Sequence, residues 1–134
     1  YGGNAVIGIS NTKNNLRRKK MVQYNQLPIY RDTYWLLTEI YQTTGKFPRD
    51  YKYTLGQDMK RDCLSLFQDL YMANFSVENR RHHLENFLKS FELLKVEIRL
   101  CVDFKVLSVK KLAQLSLIMD NIARQAAAWR KKSK

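Results

Sequence analysis

Four segments of the chain carry apolar residues at alternating spacings of three and four, and this pattern restricts the fold more than any other feature. Such spacing places residues on one face of an α-helix, which turns once every 3.6 residues or about 100° per residue. In chain order the rows are Tyr30, Tyr34, Leu37 and Tyr41; Leu55, Met59, Cys63, Leu66 and Leu70; Leu84, Phe87, Phe91, Leu94, Ile98 and Cys101; and Leu112, Leu115, Met119, Ile122, Ala126 and Trp129. We predict four amphipathic helices whose rows face a shared core.

The connections between these helices favour an all-α fold, an antiparallel up-down-up-down four-helix bundle over residues 27–134 with a basic C-terminal tail. Thr54 and Gln57 have the spacing of a capping box for the second helix. Ser76 and Ser108 are placed to cap the third and fourth helices. Residues 1–26, rich in Gly, Asn and Ser and ending in a basic cluster, are interpreted as a flexible basic N-terminal tail or extension.

Charge indicates the class of partner. Lys and Arg number 24 against 12 Asp and Glu, so the chain has a net charge of +12 and an isoelectric point near 9.9. A surface this basic suits a polyanion, and we expect RNA and DNA to be partners. The alternative, docking on an acidic patch of a partner protein, remains open.

The topology of such a bundle sorts the cations into two groups, because alternate connections lie at the same end. One end should collect Lys46, Arg49, Lys52, Lys60 and Arg61 with Lys105, Lys110 and Lys111. The other should collect Arg17 to Lys20, Arg80, Arg81, Arg130, Lys131 and Lys132. Helix N-termini strengthen such sites for phosphates, so we predict nucleic-acid binding at both ends.

Aromatic rings accompany the first cationic group. Phe47, Tyr51 and Tyr53 are interleaved with its Lys and Arg residues and are suited to stacking on exposed bases. The alternative is that Phe47 and one of the tyrosines only plug the open end of the bundle.

The third helix carries a second apolar row, about 100° from the first. Its members are Leu93, Val96, Leu100 and Phe104. We predict that they form an oligomer interface; a wide intramolecular core is the alternative.

The chain offers little chemistry for catalysis. Cys63 lies on an apolar row, and His82 and His83 are adjacent, so they cannot share a metal as residues four apart can. Asp58 and Asp62 are interpreted as solubilising charges beside Lys60 and Arg61. We expect no catalytic residues, no metal and no cofactor.

The cysteines and the hydropathy indicate a location. Cys63 and Cys101 match neither a disulfide framework nor a zinc site, which favours reduced thiols in the cytoplasm. No apolar run of about 18 residues occurs, so we expect no association with a membrane.

Several of these features together resemble one protein family. LPIY precedes an aromatic helix, TGKFPRDYKYTLGQDMKRD follows, and a long LxxFxxLxxE-like third helix and a short-looped fourth complete the pattern. This resembles the accessory variability determinant (Avd) proteins of diversity-generating retroelements, over about residues 27 to 129; the first 26 residues have no recognised counterpart. Avd proteins are relatives of four-helix-bundle proteins encoded in intervening sequences of ribosomal RNA genes.

The resemblance carries its own expectations. It implies a homopentamer without enzymatic activity, which binds a reverse transcriptase and template RNA or cDNA during mutagenic retrohoming. The basic positions that it implies are Lys46, Arg49, Lys52, Lys60 and Arg61. A ribosomal-RNA-associated protein of the intervening-sequence type is the alternative function.

Overall fold

The structure, a computed structural model, describes residues 27–134. The helices in this part of the chain are α1 (Pro28–Gly45), α2 (Arg49–Lys52), α3 (Leu55–Phe75), α4 (Arg80–Asp103) and α5 (Val109–Lys132). Over these residues the chain is all helical and contains no strand, so the predicted all-α class is confirmed. The single-turn helix α2 was not predicted. The N-terminal segment 1–26, with the cluster Arg17 to Lys20, lies outside the described residues.

The rows predicted for the last three long helices form most of the core. In α3 and α4 every predicted member is buried except Leu55, which is half-buried. In α5 the two ends of the row, Leu112 and Trp129, are half-buried, and the four members between them are buried. Regular burial of one face is what stabilises these helices, since an isolated helix of this length is marginal in water.

The row predicted for α1 was wrong. The buried face of α1 consists of Ile29, Thr33, Leu36, Ile40 and Thr44. Tyr30, Tyr34, Leu37 and Tyr41 lie beside this face, towards α3, and Tyr34 is 54% exposed. The Thr44 hydroxyl donates to the Ile40 carbonyl oxygen at 2.7 Å, so it needs no water and packs in the core.

Each long helix packs against two others. Helix α1 contacts α3 and α5, and α4 contacts the same two helices from the other side. On the surface between α1 and α5, Asp32 accepts hydrogen bonds from Asn121 at 3.2 Å and from Gln125 at 2.7 Å. Lys111 forms an ion pair with Glu39 further along the same contact. These contacts surround one continuous core.

Of the three predicted helix starts, those of α3 and α5 are confirmed, directly after Thr54 and Ser108, whereas α4 begins later than predicted. The Thr54 hydroxyl donates to the Asp50 carbonyl oxygen at 2.6 Å, and the Thr54 side chain makes no capping hydrogen bond with α3. Ser76 accepts from the Asn79 amide at 3.3 Å and closes a turn, so α4 begins only at Arg80. The Ser108 cap is confirmed, with its hydroxyl accepting from the Lys111 amide at 3.0 Å.

Three cations of the predicted basic C-terminal tail are helical. Arg130, Lys131 and Lys132 form the last turn of α5, where cations interact favourably with the negative end of the helix dipole. Within residues 27–134, no helix is at once long and apolar enough to span a lipid bilayer.

Candidate nucleic-acid interface

The connection between α1 and α3 folds onto the core. Phe47 is 5% exposed and belongs to the core cluster, so the interpretation of Phe47 as a plug is confirmed and its ring is not available to a base. Gly56 permits the close approach: a Cβ at this position would lie 3.2 Å from the Tyr51 carbonyl oxygen and 3.4 Å from Thr44 Cβ. Space for a larger residue is therefore lacking here.

Aromatic stacking joins the two connections at this end. The Tyr51 and Phe104 rings stack with centroids 5.4 Å apart and planes 25° apart. Phe104 directly follows α4, so this contact brings the α1–α3 connection beside the α4–α5 connection. The prediction that placed the cations of both connections at one end of the bundle required this proximity. Tyr53 is 61% exposed, which leaves it as the one ring of the three that is open to stacking on a base.

The cations of α2 and its flanks point outwards. Lys46 and Arg49 are exposed. Lys52 is half-buried, with its Nζ 5.7 Å from the centroid of the Tyr53 ring. An exposed ring beside an ammonium group combines a stacking surface with a phosphate contact, which is the arrangement that single-stranded nucleic acid favours.

Two further predicted cations lie in the first turns of α3. Lys60 is half-buried with its Nζ 5.4 Å from the centroid of the Tyr41 ring. The Arg61 guanidinium is 3.2 Å from Asp58 and 3.5 Å from Asp62. Ion pairs as exposed as Arg61–Asp58 contribute little to stability, so a phosphate can replace the carboxylate at small cost.

The α4–α5 connection adds fewer cations than the sequence suggested. Lys105 adopts a left-handed backbone conformation, φ 64°, which ends α4, and its side chain is exposed. Lys110 is exposed as well. Lys111 is half-buried and held by Glu39, so this lysine supports the α1–α5 contact.

At the opposite end, Arg80 has an internal role. Its Nε donates to the Ala73 carbonyl oxygen at 2.7 Å and its Nη2 to the Asn74 carbonyl oxygen at 3.3 Å. The guanidinium also lies 5.5 Å from the centroid of the Trp129 ring. These contacts satisfy carbonyl groups in the last turn of α3, which otherwise lack partners. Arg80 is therefore positioned to stabilise the fold.

Of the remaining described cations of that end, Arg81 has a carboxylate partner. Arg81 pairs with Glu85 at 3.6 Å, and the cations of the last α5 turn sit at the negative end of the helix dipole. Lys132 lines a cavity of about 500 Å³ together with Arg80 and Trp129. Among the described residues, the α2 end brings exposed cations together with an exposed aromatic ring, and on this ground it is the better candidate for phosphates.

The second apolar row of α4 is exposed. Leu93, Val96, Leu100 and Phe104 are 51%, 57%, 37% and 47% exposed. The alternative of a wide intramolecular core is thereby excluded, because these side chains do not contribute to the core of this chain. Their role in oligomerisation remains a prediction.

Groups considered for catalysis are buried or dispersed. Burial raises the pKa of Cys63 to about 12, and burial together with Glu97 raises that of Cys101 to about 11. Both thiols thus stay protonated, whereas a nucleophile or metal ligand needs the thiolate. Residues 27–134 contain no group of three or more His, Cys, Asp or Glu placed to hold a metal.

One residue of consequence was missed from the sequence. Glu97 is 7% exposed, and its Oε1 is buried with no hydrogen-bond partner among the described residues. Burial, a hydrogen bond with Asp62 and the charges of Asp62 and Asp58 raise the pKa of Glu97 to about 8, against a smaller effect of Arg61. The sequence feature that indicates a buried Glu97 is its position on the buried row of α4, three residues after Leu94.

Comparison with known proteins gives one match. A protein-family model described as bAvd-like matches residues 10–133. The matched segment includes residues 10–26, for which the sequence resemblance had recognised no counterpart. No curated protein and no solved structure matches the chain.

Proposed function

This chain belongs to the bAvd-like family, and we propose that it is the non-catalytic accessory protein of a diversity-generating retroelement. The match confirms the resemblance to Avd proteins. In this role the protein binds the reverse transcriptase of the element and its template RNA or cDNA during mutagenic retrohoming. Since the match is to an Avd-type model, it favours this function over that of a ribosomal-RNA-associated bundle.

The scaffold of this proposal is an antiparallel up-down-up-down four-helix bundle. Asp32 lies early in α1 and binds Gln125 late in α5, whereas Glu39 binds Lys111 at the start of α5. Met59 near the start of α3 similarly contacts Cys101 near the end of α4, at 3.4 Å between sulfur atoms. Contacts that pair early residues with late ones support opposite helix directions.

The observation that carries nucleic-acid binding is the cluster of outward cations at the α2 end. Lys46 and Arg49 are exposed, and Lys52 adjoins the exposed Tyr53 ring. The arrangement offers several phosphate contacts on and beside the single turn of α2, and one ring for a base. Binding of this kind mainly contacts the phosphate backbone of the nucleic acid, so little sequence preference is expected.

Assembly and location complete the proposal. A homopentamer fits a chain whose α4 row remains exposed, because such a row is stabilised by burial against a neighbouring chain. The buried, free thiols Cys63 and Cys101 are consistent with a reducing compartment, and we place the protein in the cytoplasm.

Titration of RNA and of single-stranded DNA at several salt concentrations tests nucleic-acid binding. We expect the logarithm of the association constant to fall linearly with the logarithm of the salt concentration, with a slope of roughly −0.7 to −0.9 for each phosphate contacted. Fluorescence anisotropy with oligonucleotides of unrelated sequence measures the association constant at each salt concentration. A polyanion without bases, such as heparin, is the control for general charge attraction. Absence of binding at low salt would contradict the proposal.

Binding to the polymerase is tested separately. The tagged protein should copurify with the reverse transcriptase encoded beside it, and the mass of the complex gives the number of chains. A gene located within a ribosomal RNA operon, with no reverse transcriptase nearby, would instead support the intervening-sequence alternative.

A further inference from the structure

A cavity of about 500 Å³ lies at the end of the bundle opposite α2. Every long helix contributes to its wall, because the starts of α1 and α4 meet the ends of α3 and α5 there. Its volume falls within the range of about 300–1,000 Å³ that is usual for small-molecule sites. We name it the end cavity and define it by Leu27, Ile29, Asn74, Arg80, Trp129 and Lys132.

Among the described residues, the wall of the end cavity carries positive charge and no carboxylate. Arg80 and Lys132 both line it, and the two hydrogen bonds of Arg80 go to carbonyl oxygens at the end of α3, which carry no net charge. These bonds use two of the five N–H donors of the guanidinium, so three remain for a ligand. Asp32 is bound by Gln125, another lining residue, but is itself not part of the lining. The cavity therefore suits an anion.

The Arg80 guanidinium is held in place before any ligand binds. Its Nε and Nη2 are fixed by the two carbonyl groups, and its central carbon lies 5.5 Å from the centroid of the Trp129 ring. A side chain that is already ordered loses little further freedom when a ligand binds. The planar guanidinium also matches the oxygen atoms of a phosphate, with which it can form two parallel hydrogen bonds.

The rest of the end cavity includes an aromatic ring and aliphatic side chains. The Trp129 indole provides a flat surface, and Leu27 and Ile29 add aliphatic groups. An inorganic phosphate would leave this apolar surface uncovered, whereas an apolar ligand would leave two cations without a counter-charge. A ligand that satisfies both parts has a planar ring joined to an anionic group. Nucleotides have this chemistry, since bases stack on aromatic side chains and phosphates bind Arg and Lys.

We propose that the end cavity binds a single nucleotide, with its phosphate at Arg80 and Lys132 and its base against Trp129. This site is additional to the nucleic-acid binding proposed for the α2 end, and the two sites share no residue. At the α2 end the cations lie on an outward turn and suit a strand along its length, whereas a concave site encloses one unit. The nucleotide is either free or the phosphorylated end of a strand, and both present the same chemistry.

The fluorescence of Trp129 tests the proposal. The chain has two tryptophans, so Trp35→Phe, at a residue 42% exposed on α1, leaves Trp129 as the one indole. Titration of this variant with AMP should change its fluorescence saturably, with a Kd below about 1 mM. Adenosine and inorganic phosphate, which each carry one part of the ligand, should bind at least about tenfold more weakly than AMP.

A charge reversal at Lys132 tests the position of the phosphate. In the Trp35→Phe background, Lys132→Glu should weaken AMP binding at least about tenfold, because a charged hydrogen bond is lost and the new carboxylate repels the phosphate. Lys132→Arg keeps the charge and should retain binding. Lys134→Glu is the matched control: it makes the same change in charge at an exposed residue that does not line the cavity, so AMP affinity should change less than about threefold. Circular dichroism verifies that each variant is folded.

Several results would overturn the nucleotide site. Fluorescence of Trp129 that does not respond to millimolar AMP would do so, and so would equal binding of AMP and inorganic phosphate. An equal loss of affinity in Lys132→Glu and Lys134→Glu would attribute binding to overall charge and would also overturn it. RNA binding at the α2 end is unaffected by any of these results, because it is measured separately and involves other residues.

Competition with short oligonucleotides identifies the source of the nucleotide. Displacement of AMP by a strand with a 5′-phosphate, but not by the same strand with a 5′-hydroxyl, would support the end of a strand as the ligand. Displacement by neither strand would support a free nucleotide. Equal displacement by both strands would mean that the cavity contacts a strand along its length, and this result would overturn the single-nucleotide site.

Discussion

Simultaneous replacement of Arg49, Lys52 and Lys60 by Glu is expected to weaken RNA binding at least about 100-fold at physiological salt. Each phosphate contact contributes roughly 0.7 to 0.9 to the salt slope, which corresponds to about fivefold in affinity near 0.15 M salt. Three lost contacts therefore give about two orders of magnitude, and repulsion by the new carboxylates adds to this. The salt slope itself should decrease by about 2 to 3, which anisotropy titrations measure.

The triple variant should remain folded. Lys52 and Lys60 each contact one aromatic ring, and contacts of this kind contribute about 0.5–1 kcal/mol at exposed sites. Arg49 is exposed and lies on the single turn of α2. Thermal unfolding by circular dichroism should therefore show only a small change.

A second triple variant provides the matched control. Lys89→Glu, Lys95→Glu and Arg124→Glu change three exposed cations of α4 and α5 that lie about two or more helical turns from the α2 end. Each replacement lowers the net charge by two, so both triple variants fall from +12 to +6. If the two lose affinity equally, binding depends on overall charge and the α2 end is not a site. Unchanged binding in the first variant would indicate that RNA binds at the opposite end, at Arg130, Lys131 and Lys132.

Replacement of Glu97 by Gln is expected to stabilise the protein at neutral and alkaline pH, by about 1–3 kcal/mol at pH 7. The pKa of Glu97 is raised from 4.5 to about 8, chiefly by burial, so the folded protein must retain a proton that the unfolded chain releases. Glutamine has nearly the same shape, carries no charge and can donate its amide hydrogen to Asp62. Urea unfolding at a fixed protein concentration measures the difference.

The pH dependence of the stability difference between wild type and variant tests whether the ionisation of Glu97 causes it. Below about pH 4.5 Glu97 is protonated in both states, and wild type and variant should be about equally stable. Between about pH 4.5 and 8 the unfolded state binds fewer protons than the folded state, so the wild type loses stability relative to the variant as pH rises. Above about pH 8 the difference should become constant. The groups of α3 that face this carboxyl, Asp58, Asp62 and Arg61, are unchanged in the variant.

Glu92→Gln is the control for this experiment. Glu92 lies on the same helix, is exposed and pairs with Lys95 at 3.0 Å. An exposed pair of this kind contributes below about 1 kcal/mol, so the control should show little change over the same pH range. A Glu97→Gln protein with the same pH dependence as wild type would mean that Glu97 is ionised in the folded protein.

The agreement between the predicted and the observed buried face differs from helix to helix. In α4 all six members of the predicted row are buried, because this row runs along most of the helix whereas the second apolar row begins only at Leu93. In α1 the aromatic row competes with a second row at helical spacing, which contains Ile29, Leu36 and Ile40 as well as Thr33 and Thr44, and periodicity alone does not decide between the two rows. The threonine row nevertheless faces the core, where Leu36 and Ile40 fill the space that the neighbouring helices leave.

Helix starts show the same difference on a smaller scale. The residue types at Thr54, Ser76 and Ser108 are all suited to capping, and the spacing of each supports that role. Ser76 and Ser108 both bring their oxygens to the amide three residues on, but only Ser108 does so at the first turn of a helix. Thr54 instead donates its hydroxyl to the Asp50 carbonyl oxygen, and Ser76 closes a turn that precedes the start of α4 at Arg80.

By itself the sequence determined that this chain is helical, where its long helices lie, which faces of α3, α4 and α5 are buried, and which family it resembles. These properties follow from periodicity and motif, which are local along the chain. Only the tertiary structure decided which of two rows on α1 is inside, that Phe47 is buried while Tyr53 is open, and that Arg80 serves α3 internally. It also placed Glu97 beside Asp62, because burial and charge proximity arise only when distant segments meet.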